Sequence, residues 1–82
     1  MTEKRYIIYG REGCSYCTFA HDFCYAKNLE VVYLDYTKHT DALADCMKFY
    51  KTKTVPIILE NDLETGLVRF VGGYTDLLDF LK

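Results

Sequence analysis

The sequence predicts an α/β fold, a four-stranded mixed sheet covered by three helices in the order βαβαββα. Three observations predict it. Short β-prone runs alternate with segments whose apolar residues recur at helical spacing. Clusters of Gly, Asn, Asp and Thr punctuate the boundaries. The first strand–helix–strand passage is a crossover, so its two strands should be parallel and the crossover right-handed, whereas the last two strands are joined by a short turn and should pair antiparallel.

Residues 6–9, Tyr-Ile-Ile-Tyr, form a continuous apolar run that reads as a strand buried on both faces. Gly10, Arg11, Glu12 and Gly13 break it. A helix follows over residues 15–27, with Ala20, Phe23 and Cys24 at helical spacing and Asn28 as its stop. Residues 31–34 read as the second strand. Thr40 is placed to cap a second helix, with Asp41 in its first turn. Leu43, Cys46, Met47 and Tyr50 then recur at i, i+3, i+4 and i+7. The third strand is expected over residues 55–59, with Pro56 near its start, and the fourth over 67–71. Asn61-Asp62 and Thr65-Gly66 mark turns between them. Gly72-Gly73 breaks the chain again, and Tyr74, Leu77, Leu78 and Leu81 make a last amphipathic helix.

Eighty-two residues, half of them apolar, suit one compact domain spanning residues 1–82. Tyr and Phe supply the bulky core and cleft material, since there is no Trp. A formal net charge of −2 argues against nucleic acid as partner, because phosphate binding wants a basic excess. The apolar run at residues 6–9 is too short for a signal-peptide core or a membrane span. The expectation is therefore a cytoplasmic monomer without a membrane partner. In a reducing compartment, four Cys read as catalytic, metal-binding or buried rather than as a disulfide framework.

Cys14-Ser15-Tyr16-Cys17 sits where the first strand gives way to the first helix. Residues three apart on the first turn lie on one face, close enough for a disulfide. The free N–H groups of a helix N-terminus stabilise an anion, so the Cys14 thiol is expected to ionise below the ordinary value of about 8.5. Arg11 adds to this and Glu12 opposes it from a solvated position. Cys14 is thus the expected nucleophile and Cys17, one turn in, the resolving thiol. The chemistry is thiolate attack on a disulfide sulfur. A Cys-x-x-Cys is also half of a zinc site, so a zinc-stabilised structural module stands as an alternative. Against it, Cys24 and Cys46 form no second pair and fall on apolar stripes, where an inert buried Cys is ordinary. His21 could add a ligand one turn after Cys17 but reads better as a solvated helix-face residue. No metal ligand is assigned.

Three separated motifs resemble the glutaredoxin family, and together they cover nearly the whole chain. They are Arg11 through Cys14-Ser15-Tyr16-Cys17, Thr54-Val55-Pro56, and Gly72-Gly73-Tyr74-Thr75-Asp76. The resemblance implies a thioredoxin-like fold, a cis proline at Pro56 and glutathione as reducing cosubstrate. It implies reduction of protein disulfides and glutathione mixed disulfides, with ribonucleotide reductase as one client. It also assigns positions. Arg11 would meet the glycine carboxylate of glutathione, and Tyr16 would line the groove beside the active sulfur. Val55, between Thr54 and Pro56, would pair its backbone with the cysteinyl part. Thr75 and Asp76 would hold the γ-glutamyl end, and Gly73, with Gly72, would let the backbone approach glutathione closely.

The residues leave other readings open. Pro56 could start an edge strand in trans. Thr75 or Asp76 could be a helix cap, Tyr74 a core residue, and Lys51 and Lys53 solvated charges, though Lys53 is near enough to Thr54 to steer an anionic tripeptide. Ser15 departs from the family's usual proline. Similar Cys-Ser-Tyr-Cys members imply a second reading, a 2Fe–2S cluster carrier or sensor in which Cys14 and a glutathione from each of two protomers hold the cluster.

Overall fold

The computed structural model describes residues 3–82. Its elements are β1 (Lys4–Gly10), α1 (Ser15–Ala26), β2 (Glu30–Asp35), α2 (Thr40–Phe49), β3 (Ile57–Asp62), β4 (Val68–Gly72) and α3 (Tyr74–Phe80). The order βαβαββα is the expected one. The sheet runs β2-β1-β3-β4. β1 and β2 are parallel, and β3 is antiparallel to both β1 and β4.

The two faces of the sheet are covered unequally. Tyr6, Ile8 and Ile58 pack with Ala20 and Cys24 of α1 and Leu77 of α3 into one buried cluster. Full burial of a side chain such as Ile8, Ile58 or Leu77 is worth about 1.5–3 kcal/mol. On the opposite face Tyr9 neighbours Cys46 of α2 and the Tyr50 that ends it. α2 buries only Leu43 among its residues. β1 is therefore not buried on both faces as its apolar run suggests. Tyr6 and Ile8 are enclosed, while Ile7 and Tyr9 between them are half-buried. Val32 and Phe70, which the register places on the face of Ile7 and Leu59, are exposed.

Both long helices end in the same way. After α1, the Leu29 N–H donates to the Cys24 carbonyl and the Asn28 N–H to the Tyr25 carbonyl, each at 3.0 Å. Asn28 takes the left-handed φ of 60° that this Schellman closure needs. After α2, the Thr52 N–H donates to the Met47 carbonyl at 2.9 Å and the Lys51 N–H to the Lys48 carbonyl at 3.3 Å. Here the left-handed residue is Lys51, with φ 55°. Asn28 is the stop its sequence suggests; Lys51 is not signalled in the same way.

Several boundaries move. The residue capping α2 is His39, whose carbonyl accepts the Leu43 N–H at 3.0 Å, and Thr40 is the first helical residue. β3 starts at Ile57, two residues later than expected, because Pro56 has no N–H to give a ladder. It runs on through Asn61 and Asp62, which pair with Arg5 and Lys4. The turn follows them instead: the Asp62 carboxylate accepts the N–H groups of Glu64 and Thr65 at 3.0 and 3.3 Å. Glu60 is the one buried charged residue among those described, and it accepts a 2.8 Å hydrogen bond from the Tyr6 hydroxyl with Lys4 Nζ at 3.7 Å.

Candidate active site

The loop after β1 is tied down before the helix begins. The Glu12 N–H donates to Thr37 Oγ1 at 2.7 Å, and the Thr37 N–H donates to the Asp35 carboxylate at 2.9 Å. Gly13 then takes a φ of 78°, a conformation that costs glycine little. Cys14 follows as the N-cap of α1, with extended backbone at φ −100° and ψ 105°. Its Sγ accepts the Cys17 N–H at 3.1 Å. This is the position where Ser, Thr, Asp or Asn usually supplies an oxygen to the free N–H groups. Here a sulfur does so, and such N–H groups are more strongly satisfied by a thiolate than by a neutral thiol.

Cys14 and Cys17 are joined by a disulfide, with their Cα atoms 5.3 Å apart. Cys14 is half-buried, and Cys17 is 0% exposed. An incoming thiolate therefore has access to Cys14 and not to Cys17. Cys14 Sγ lies 4.0 Å from the carbonyl oxygen of Val55, which brings the loop before β3 to the sulfur. The Val55–Pro56 bond is cis.

A groove of about 550 Å³ runs on from Val55. Tyr16, Thr54, Val55, Pro56, Gly73, Thr75 and Asp76 all line it, so the fold brings these sequence-selected residues together. At one wall Tyr16, 59% exposed, stacks on Tyr74 with ring centroids 5.8 Å apart, and Phe19 completes the aromatic cluster. Tyr74 is both groove wall and core neighbour. Asp76 is both groove wall and cap, since its Oδ2 accepts the Gly73 N–H at 2.9 Å. The chain can make this return because β4 ends in a bulge at Val71 and Gly72 takes a φ of 124°. A methyl group on Gly72 would lie 2.8 Å from Cβ and Cγ of Asp76.

Two basic residues stand differently from expectation. Lys51 lines the groove with Thr52; Lys53 does not. Arg11 borders a separate hollow of about 460 Å³ with Glu12, Gly13, Thr18, His21, Tyr33 and Asp35. Tyr16 and Thr18 lie roughly 200° apart around α1, so groove and hollow flank opposite sides of that helix. The sequence also left Phe70 and Val71 out of the groove, which they line from β4. Their pattern is that of an ordinary strand.

The titratable groups outside the disulfide follow their surroundings. Burial pushes the Cys24 thiol up, which keeps it protonated and inert. Burial, helped by the Asp35 carboxylate, pushes the Tyr33 phenol up. The Thr37 hydroxyl and N–H hold the Asp35 carboxyl below its ordinary value. Among the described residues, no three His, Cys, Asp or Glu side chains converge as a metal-binding group. His21 Nδ1 lies 3.3 Å from Asp22, and its ring stacks with Tyr25.

A parallel β1–β2 pair joined through α1, an antiparallel β3–β4 hairpin and a cysteine pair at the first helix's start define a thioredoxin-like fold. No protein-family model and no curated protein sequence matches the chain. Solved structures do. Reduced Escherichia coli glutaredoxin is similar at 24% identity and a TM-score of 0.66, over 94% of this chain and 92% of that one. Glutaredoxin 1 from Francisella tularensis, complexed with cacodylate, is similar at 23% identity and 0.65, over 95% and 92%. A point mutant of a thioredoxin-like protein is similar at 18% identity and 0.65, over 94% and 99%. At these identities the likeness establishes the fold.

Proposed function

We propose that this chain is a glutathione-dependent thiol–disulfide oxidoreductase of glutaredoxin type. The observation that carries the reading is the Cys14 sulfur, which caps α1 through the Cys17 N–H and lies against Val55 at the head of the groove. That groove offers an extended peptide three features. They are the Val55 backbone, an aromatic wall at Tyr16, and the Asp76 carboxylate beside Thr75 in the first turn of α3. Glutathione, a zwitterionic tripeptide with a central thiol, has an extended backbone for the first and an amine for the last.

In the forward direction the Cys14 thiolate attacks a client disulfide and one client sulfur leaves as thiolate. Cys17 then attacks Cys14, releasing the second client sulfur and closing the disulfide. Two glutathione thiols reopen it and leave as glutathione disulfide, so two electrons pass from glutathione to client. The clients we propose are glutathionylated proteins and proteins with accessible disulfides, ribonucleotide reductase being one candidate, in the cytoplasm. Residues 1–82 act in this reading as one domain.

The test is reduction of a glutathione mixed disulfide, coupled to glutathione consumption. Cys14→Ser should abolish it, and Cys17→Ser should keep deglutathionylation while losing reduction of protein disulfides. Activity retained by Cys14→Ser would sink the reading.

A further inference from the structure

Cys17 poses a chemical problem that the groove does not solve. When a thiolate opens the disulfide at Cys14, the bond that breaks leaves the electron pair on Cys17 Sγ. That atom belongs to a fully buried residue, on the side of α1 facing the sheet. An unpaired charge there is costly unless a donor meets it.

One candidate donor stands nearby. Tyr33 of β2 reaches across Gly10, and Gly10 is what lets it. A methyl group on Gly10 would lie 2.8 Å from Cζ of Tyr33, would collide with its hydroxyl oxygen, and would touch Cys17 Cβ at 3.1 Å. The phenol end of Tyr33 and the base of the Cys17 side chain thus crowd the same empty corner. Tyr33 also lines the hollow bordered by Arg11, Glu12, His21 and Asp35. Tyr33 therefore lies between the buried Cys17 side chain and an open recess.

We propose that the Tyr33 hydroxyl relays the proton of Cys17. As glutathione or another thiolate bonds to Cys14 Sγ, the Cys14–Cys17 bond breaks and Tyr33 donates to the departing Cys17 thiolate. The phenol gives its proton to the sulfur and takes one from water in the hollow, so the net proton comes from solvent. Closure of the disulfide runs the same path in reverse. The groups facing the phenol fit this task. Burial first, and then the Asp35 carboxylate of β2, favour the protonated hydroxyl. The His21 ring of α1 stands edge-on to the Tyr33 ring at 6.1 Å, and Arg11 and Glu12 close the rim.

The proposal rests on Cys14–Cys17 being the working couple, and the test separates the two. Oxidised protein is mixed with dithiothreitol and disulfide opening is followed from pH 6 to 9. A wild-type disulfide that dithiothreitol does not open overturns the thiol–disulfide reading before any variant is compared. Tyr33→Phe keeps the ring and removes the donor. Loss of a hydrogen bond to a charged group predicts opening slower by roughly tenfold or more. The same substitution in a Cys17→Ser background should leave deglutathionylation of Cys14 unchanged, because Cys17 takes no part. In a Cys14→Ser background, Tyr33→Phe should move the Cys17 titration, read by its Cβ carbon resonance, to higher pH. Opening at the wild-type rate overturns the relay. An equal loss in the Cys17→Ser background also overturns it, since that would be damage to the fold.

Discussion

The amide nitrogen of Cys17 lies 3.1 Å from the sulfur of Cys14, so the proposed attacking cysteine is capped by the backbone of its own disulfide partner. Opening the disulfide leaves that N–H directed at Cys14. The reduced Cys14 thiol should therefore titrate below the free-thiol value of about 8.5. An acid whose folded value is depressed adds stability above its unfolded value and loses it as pH falls through the folded one. Reduced protein should accordingly gain stability relative to Cys14→Ala towards alkaline pH. Alkylation rates of Cys14 against pH, with denaturation of both proteins at pH 6 and 9, check this.

Lys51 combines a backbone cost with a groove position. A residue other than glycine in the left-handed region costs roughly 1–2 kcal/mol, and glycine returns part of that as extra freedom in the unfolded chain. Lys51→Gly should therefore stabilise the fold by up to about 1 kcal/mol. It should also raise the KM for glutathione, by removing a cation from the groove. Lys51→Asn, which tolerates the same φ, should show the KM change too. Urea midpoints and glutathione titrations of the two variants separate backbone from charge.

Asp76 is asked to cap α3 and to line the groove at once. Asp76→Ala should cost about 0.5–2 kcal/mol through loss of the Gly73 N–H acceptor. Asp76→Asn retains an acceptor oxygen and should keep most of the stability. Both should weaken glutathione binding if the γ-glutamyl ammonium group sits there. Equal glutathione affinity in wild type and Asp76→Asn would remove Asp76 from the binding site.

Tyr6 and Glu60 form a buried pair away from the site. Burial first, and then the hydrogen bond and charge of Glu60, push the Tyr6 phenol well up. A raised folded value leaves stability intact below the unfolded value of about 10 and erodes it as pH rises from there towards the folded value. The protein should weaken above about pH 10. Tyr6→Phe should lower stability at neutral pH by about 1–3 kcal/mol, because Glu60 loses its hydroxyl donor, and should flatten the alkaline decline. Denaturation at pH 7 and 10.5 reads both effects.

What the sequence made legible is what local chemistry dictates. Gly13 before Cys14, and an apolar stripe after it, place the cysteine pair on a helix start without any tertiary information. Gly72-Gly73 before Tyr74 does the same for α3. The misreadings arise where distant partners decide. Asn61 and Asp62 look like a turn and become strand because Arg5 and Lys4 lie opposite. Lys51 carries no mark of left-handed backbone, since Gly and Asn usually supply one. Arg11 is three residues from Cys14 in the chain, yet the turn at Gly13 leaves it on the far flank of α1, bordering the hollow and not the groove.

The two cysteines outside the pair turn burial into a means of reading the protein's state. With Cys14 and Cys17 joined, Cys46 is the partly exposed free thiol and Cys24 is sealed in the core. A bulky thiol reagent should label one site on the oxidised protein, two after reduction and all four only on unfolding. Successive labelling of a single sample would thus count electrons first and lost structure second, with no engineered probe.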